Sequence, residues 1–254
     1  MEKIESYSTM ANSKNPNPVE LDYYQKLEKY INSSPSNIVE KFKNFTKYVP
    51  RQDLTRFLVK YEIFKKILNV SGSIVECGVL HGAGLMSFAH LSSIFEHLNH
   101  ERKIIGFDTF EGFPDEASIH DNKEYAKKGE LAINSYEDLI ECAKLYDENR
   151  FLNHVPKIDL IKGDILETVP KYLKENPQTV VSLLYLDADL YEPTKVCLEN
   201  FVPRMPKGSV IVFDEINDKV WPGETTALLN TVGIQNLRLQ RFPFDTKVSY
   251  AVLE

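Results

Sequence analysis

The chain has 254 residues, a length that suits one α/β domain with an N-terminal extension and a core that needs no disulfide. Its formal charge of −7 argues against a nucleic-acid partner, and scattered Lys and Arg offer no polybasic run to an anionic membrane. No apolar run approaches the ~20 residues of a membrane span, no signal-peptide apolar region follows Met1, and Cys77, Cys142 and Cys197 form no CxxC pair, so a cytoplasmic protein with reduced thiols is expected.

Residues 1 to about 18 are polar, carry Asn15-Pro16-Asn17-Pro18 and are expected to form a mobile arm. Helical patterning follows over Leu21–Ile31 and Ile38–Tyr48, broken by Ser33-Ser34-Pro35-Ser36. Pro50 opens a third helix, in which Thr55, Phe57, Leu58, Tyr61, Phe64 and Leu68 recur at intervals of three and four and make one buried stripe. Ser71-Gly72-Ser73 ends it, which sets a boundary near residue 70 between an N-terminal arm and helical extension (1–70) and the main domain (71–254). The extension carries Tyr23, Tyr24, Leu27, Tyr30 and Ile31, apolar surface that leads us to expect a homodimer or higher homo-oligomer.

Beyond residue 71, strands and helices alternate. Strands are expected at Ile74–Gly78, Lys103–Asp108, Ile158–Lys162, Val181–Asp187 and Ser209–Asp214, and helices at Gly84–Leu98, Leu166–Leu173, Pro193–Phe201 and Gly223–Thr231. The strands are short continuous apolar runs, as required when helices cover both faces of a sheet. The alternation predicts a doubly wound, mostly parallel sheet. Leu237–Arg241 and Lys247–Leu253, flanking Phe242-Pro243-Phe244-Asp245-Thr246, predict a C-terminal antiparallel hairpin. The segment from about 112 to 153 is a long charged insertion with a helical piece at Tyr136–Tyr146. Its position at the ligand rim suggests a lid, and a surface excursion is the alternative.

Acidic residues fall at the ends of the expected strands, on the rim where open α/β folds bind ligands. Gly78, Gly82 and Gly84 form a strand-to-helix turn that lets backbone approach a ligand. The spacing is neither GxGxxG nor a P-loop. Glu76 before it would repel a pyrophosphate and attract an ammonium group, such as that of S-adenosylmethionine. Asp108 suits the ribose hydroxyls or a turn cap. Asp164 suits the adenine amino group or the N-cap of the next helix. Asp187, Asp214 and Glu215 offer three oxygens to Mg2+, which would leave positions for two vicinal hydroxyls of an acceptor. Coordination lowers a hydroxyl's pKa, and Asp189 then stands as general base, unless it only caps the helix that begins near Tyr191. No Cys or His accompanies these acids, which disfavours zinc. His81 lies in the turn, and His120, in the insertion, is a second candidate base.

The chain resembles the macrocin O-methyltransferase family of class I S-adenosylmethionine-dependent enzymes, which act mainly on deoxysugars. The markers are Val49-Pro50-Arg51-Gln52-Asp53-Leu54-Thr55-Arg56-Phe57, Val75-Glu76-Cys77-Gly78-Val79, Gly106-Phe107-Asp108-Thr109-Phe110-Glu111-Gly112-Phe113, Leu186-Asp187-Ala188-Asp189-Leu190-Tyr191-Glu192 and Trp221-Pro222-Gly223. The resemblance implies a Rossmann-like fold and a sugar acceptor, with Mg2+ on Asp187, Asp214 and Glu215 and Asp189 (beside Asp187) as the catalytic base. It implies a cofactor site lined by Glu76, Gly78, Ser87, Asp108 and Asp164, to which we add Gly82, Gly84, Thr109, Phe110 and Ile165. In that family the last metal cluster is usually an Asp-Asp pair, whereas this chain has Asp214-Glu215. Methylation of a non-sugar diol, C- or N-methylation, and a non-catalytic nucleotide-binding role on the same fold are the competing readings.

Overall fold

The computed structural model describes residues 18–114 and 118–254. The expected arm lies outside the described residues, save for Pro18. The chain divides into two compact units, Met1–Leu54 and Thr55–Glu254. The first contains α1 (Pro18–Ser33) and α2 (Ile38–Lys43), with Asn37 accepting from Glu40 N at the start of α2. The helix expected to run from Ile38 to Tyr48 stops at Lys43 and continues as a 3₁₀ turn, Phe45–Lys47. Asn44 causes the break: its side-chain amide donates to the Glu40 carbonyl, the local bonding that makes Asn a cap rather than an interior helix residue. Ser34 Oγ meets Tyr48 Oη at 2.9 Å and ties the unit together.

Helix α3 (Arg51–Lys66) crosses the division. From Thr55 onward it belongs to the second unit, because Val59, Ile63 and Phe64, with Ile67 just beyond, are fully buried in that unit's core. This apolar stripe at helical spacing is why the compact unit begins before residue 70.

The second unit holds a seven-stranded sheet in the order β3-β2-β1-β4-β5-β7-β6. Its strands are β1 (Ser73–Cys77), β2 (Ile104–Asp108), β3 (Ile158–Lys162), β4 (Val181–Leu186), β5 (Val210–Phe213), β6 (Gln240–Arg241) and β7 (Ser249–Val252). The first five are parallel, and β7 pairs antiparallel with both β5 and β6. The intervening helices are α4 (Ala83–Phe95), α5 (Tyr136–Glu148), α6 (Ile165–Glu175), α7 (Tyr191–Phe201) and α8 (Pro222–Asn230). The alternation read from the sequence is therefore the observed one, with ends shifted by a few residues.

Register decides what meets at the rim. Cys77 pairs with Phe107 on one side and with Leu186 on the other, and Leu186 pairs with Phe213. One step further along each strand, Asp108, Gly78, Asp187 and Asp214 form a row. The order of strands reverses between β1 and β4, the switch point where open sheets leave a crevice. Glu76 pairs with Tyr185, so the two share the sheet face covered by α3 and α4.

The insertion between β2 and β3 has two parts. Helix α5 is anchored in the core through Leu139 and Tyr146, and Tyr146 Oη donates to the Ala89 carbonyl at 2.6 Å. The described residues before it fold over the rim, where Phe113, Tyr125 and Ala126 gather with Leu190, Val220 and Trp221.

Candidate active site

Each parallel strand in the crevice ends in a loop that holds one non-glycine residue in the left-handed region: Leu80 after β1, Phe110 after β2, Asp189 after β4 and Asn217 after β5. Such residues cost backbone energy, and their concentration at one rim marks a shaped site. Gly78, at φ +90, is where the β1 loop crosses β4. A Cβ there would lie 1.9 Å from the Asp187 carbonyl oxygen. Gly84, in the first turn of α4, leaves room for the Glu76 carboxylate; a Cβ there would lie 1.8 Å from Glu76 Oε1. Gly82 is the residue before α4, with φ +82.

Glu76 is 2% exposed, and its Oε2 has no hydrogen-bond partner. Burial pushes its pKa up to about 8, against the opposing pull of the Lys60 ammonium. Asp108 takes a different part from its neighbour. Its Oδ2 accepts from the backbone N–H groups of Val79 and Leu80 at 2.7 and 2.8 Å, and its Oδ1 accepts from Phe110 N at 2.7 Å. It braces the glycine turn, and the remaining lone pair of Oδ1 is what it has left for a ligand. Thr109 Oγ1 donates to the Gly112 carbonyl and Phe110 is buried, its ring 5.2 Å from that of Tyr136. Asp164 caps α6 by accepting from Leu166 N at 2.9 Å, and Ile165 is the buried first residue of that helix. Ser87 Oγ donates back to the Ala83 carbonyl of its own helix. The structure thus gives Asp164 and Ser87 local roles in α6 and α4, while Glu76 keeps an unused carboxylate oxygen.

The four acids beyond β4 and β5 are brought together. Asp214 is buried and held by an ion pair with Arg56, and Tyr185 Oη donates to it at 3.2 Å. Glu215 is buried and gripped by Lys247 Nζ at 3.0 and 3.2 Å; its backbone N–H donates to Glu224 Oε2 at 2.6 Å. Lys247 also reaches Asp218 at 3.4 Å. Burial, then repulsion from Asp214, pushes Asp187 up to about 7. The same causes raise Glu215 to about 8. Burial, with Asp187 and Glu215 next to it, drives Asp189 well above the usual carboxylate range. The carboxyls of Glu76, Asp187, Asp189, Asp214, Glu215 and Glu224 outnumber Arg56, Lys60 and Lys247, and their mutual repulsion adds to burial in raising the pKa values of Glu76, Asp187, Asp189, Glu215 and Glu224.

All the donors of this cluster are oxygens, which is the chemistry a hard divalent cation takes, and the charge surplus fits one. Among the described residues, however, no group of His, Cys, Asp or Glu stands in a metal-holding arrangement. Arg56 pairs with Asp214 and Lys247 with Glu215. The sequence reading missed both cations, along with Lys60, Tyr185 and Glu224. Arg56 sits in one of the marker segments, so its presence was legible although its partner was not.

Asp189 does not cap α7. The cap residue is Leu190, which has no side-chain bond to the helix, and Asp121 Oδ1 from the insertion accepts from Tyr191 N at 2.9 Å instead. Among the described residues the Asp189 carboxylate makes no hydrogen bond, and the residue is largely but not fully buried. His120 packs against Tyr191, the ring centroids 4.1 Å apart and the planes tilted by 40°.

The sheet order, the antiparallel pair at its C-terminal edge and the ligand crevice at the β1–β4 switch point define a class I methyltransferase fold. The chain belongs to the macrocin-O-methyltransferase family, whose pattern it matches over residues 62–227. The crystal structure of CalS11, a calicheamicin methyltransferase, aligns with a TM-score of 0.89 at 36% identity over 94% of each chain. The apo structure of CalS11, described as a TDP-rhamnose 3'-O-methyltransferase of calicheamicin biosynthesis, aligns with a TM-score of 0.81 at 35% identity over 94% of this chain and 96% of that one. Demethyldecarbamoylnovobiocin O-methyltransferase of Streptomyces niveus is 24% identical over 151 residues, 58% of this chain and 53% of the relative, so the match spans about half of that protein's length.

Proposed function

We propose that the chain transfers the methyl group of S-adenosylmethionine to a sugar hydroxyl, on a nucleotide-activated deoxysugar or a glycosylated natural product. The observation that carries this reading is Asp189: a carboxylate with no hydrogen bond among the described residues, at a left-handed position on the rim, two residues from Asp187. The likeness to CalS11 supports a sugar as the acceptor.

In the reaction, an acceptor oxygen attacks the methyl carbon in line with the departing sulfur. The C–O bond forms, the S–C bond breaks, and sulfur keeps the electron pair to become a thioether. The hydroxyl proton passes to Asp189. A positive sulfonium and an ammonium entering this cluster of acids favour the charged carboxylates, so ligand binding itself prepares Asp189 to accept. Glu76 would hold the ammonium, Asp108 the ribose with its remaining lone pair, and Thr109, Phe110, Asp164 and Ile165 the adenine end. Positioning supplies most of the rate, because both reacting groups are brought from solution into one crevice.

Asp187, Asp214 and Glu215 would hold Mg2+, which when bound supplies Lewis acidity to the acceptor hydroxyls. Lys247, which holds both Glu215 oxygens, and Arg56, on one Asp214 oxygen, would then share these carboxylates with the metal. The insertion would act as a lid through the residues before α5, and the N-terminal unit would contribute to a homo-oligomer, which light scattering tests directly. The deciding experiment presents a panel of nucleotide-activated deoxysugars with isotope-labelled S-adenosylmethionine, followed by mass. Transfer to a sugar oxygen supports the reading; transfer only to a catechol-like diol, or binding with no transfer to any acceptor, defeats it.

A further inference from the structure

Lys60 is a lysine in an uncommon setting. It lies in α3, is only 8% exposed, and its ammonium sits 4.7 Å from the centroid of the Tyr185 ring. Among the described residues it makes no ion pair and no hydrogen bond, and its ammonium lies over the Tyr185 ring. A buried ammonium normally has an acceptor for its N–H groups, because leaving them unpaired costs far more than a ring face returns. Its place is defined by Gly84: a Cβ built there would lie 3.0 Å from Lys60 Cε and 1.8 Å from Glu76 Oε1. The Lys60 head and the Glu76 carboxylate therefore flank the same point, in the first turn of α4 beside the glycine loop. Glu76 also lacks a partner, on its buried Oε2.

A carboxyl with an unpaired oxygen and an ammonium with no acceptor, side by side and both buried, match a ligand that carries the two opposite charges on one carbon. We propose that Lys60 binds the α-carboxylate of the amino-acid moiety of S-adenosylmethionine, beside the ammonium held by Glu76. The inference rests on the cofactor reading above and deepens it. The Tyr185 ring, fixed by strand β4 and by its bond to Asp214, gives the Lys60 ammonium an aromatic face to rest on. Gly84 is then needed because any side chain there would stand between the two charges.

The alternative is that Lys60 only balances the charge of Glu76 and touches no ligand. Three nucleosides separate the two: S-adenosylhomocysteine, with ammonium and carboxylate; its decarboxylated analogue, with ammonium alone; and 5'-methylthioadenosine, with neither. They are titrated calorimetrically into the full chain and into Lys60→Met. The wild-type chain is expected to bind S-adenosylhomocysteine about 10- to 100-fold more tightly than the decarboxylated analogue, the range of one charged hydrogen-bonded pair. Lys60→Met should bring S-adenosylhomocysteine down to the level of that analogue and leave the other two ligands within about twofold. Equal wild-type affinity for the first two ligands overturns the inference without any variant, so a misfolded Lys60→Met does not leave it open. Weaker binding of the decarboxylated analogue to Lys60→Met, in step with S-adenosylhomocysteine, overturns it in favour of charge balance. A wild-type chain that binds none of the three removes the cofactor reading and this inference together.

Discussion

Asp121 Oδ1, in the insertion between β2 and β3, accepts a hydrogen bond from the backbone N–H of Tyr191, the first residue of α7, at 2.9 Å. A loop residue some seventy positions upstream thus performs the capping that the sequence offered to Asp189. The loop is itself set by Asp121, whose Oδ2 accepts from Ser118 N and Oγ at 3.0 and 2.6 Å. Two consequences follow from one contact: the insertion is latched to the rim, and Asp189 retains its carboxylate for other work.

If Asp189 accepts the acceptor's proton, Asp189→Asn should lower turnover by roughly two to four orders of magnitude, the usual contribution of a positioned base. Size and most hydrogen bonding are kept, so binding of S-adenosylhomocysteine should change less than about twofold. Stopped-time assays and calorimetry measure the two quantities. Near-normal turnover would reassign the role, and His120, packed against Tyr191, is then the residue to replace.

Asp121→Ala removes the cap of α7 and the latch together. Loss of a capping carboxylate costs about 1 kcal/mol, which for a chain of this size lowers Tm by roughly 2–4 °C. The catalytic effect should exceed the stability effect, because the loop that packs Tyr125 and Ala126 against Trp221 loses its tether. Turnover reduced at least tenfold with a small change in Tm is the expected pattern. A change in Tm alone would mean that the segment takes no part in the reaction.

Gly84→Ala tests the packing around Glu76. Gly84 sits in an ordinary helical conformation, so the backbone accepts alanine, yet the new methyl would overlap Glu76 Oε1. Overpacking of this kind costs about 1–3 kcal/mol. Displacement of Glu76 should weaken S-adenosylhomocysteine binding by tenfold or more while circular dichroism stays unchanged. Retained affinity in a folded variant would show that the carboxylate can be moved without harm, and would remove Glu76 from the site.

Divalent cation dependence is the next test. A chelator should abolish turnover and added Mg2+ should restore it, with binding of the metal alone seen by calorimetry. Lys247→Met frees the buried Glu215 carboxylate from the cation that now grips it, so the metal should bind this variant more tightly than the wild type, by about tenfold for one competing charged hydrogen-bonded pair. Full activity in excess chelator with no metal by elemental analysis would sink the assignment of Asp187, Asp214 and Glu215.

The elements were legible because the strands are continuous apolar runs between turn residues, and the helices repeat at three and four. Ile74–Cys77 and Val210–Phe213 have no other reading. The rim acids were legible because they follow those runs directly. Their partners were not. Lys247 meets Glu215 across the C-terminal hairpin, and Arg56 meets Asp214 from a helix that precedes the whole sheet. Lys60 looks like any solvated lysine in Val59-Lys60-Tyr61-Glu62 until the fold buries it. Asp121 lies in a stretch without periodicity, so nothing local pointed it at Tyr191. Sequence patterns report which face is buried; they do not report which distant charge completes a pair.

The acids also set how stability responds to pH, and the direction is opposite to that of an ordinary ion-paired carboxylate. Glu76 in the folded chain titrates at about 8 because burial outweighs the pull of Lys60, whereas in the unfolded chain a glutamate titrates near ~4.3. Between those values the folded chain binds more protons than the unfolded one, so its stability falls as pH rises. The contribution is complete below the unfolded value and is lost by the time pH passes the folded one. For a single group the slope is at most about 1.4 kcal/mol per pH unit. Asp187 and Glu215, raised to about 7 and about 8, act in the same direction. The ligand-free protein should therefore melt at a lower temperature at pH 8.0 than at pH 5.5. Glu76→Gln removes one titrating group and should make that dependence shallower. Thermal unfolding of both chains across this range is the measurement, and parallel curves for the two would show that Glu76 is already ionised in the fold, with a partner the buried carboxylate does not display.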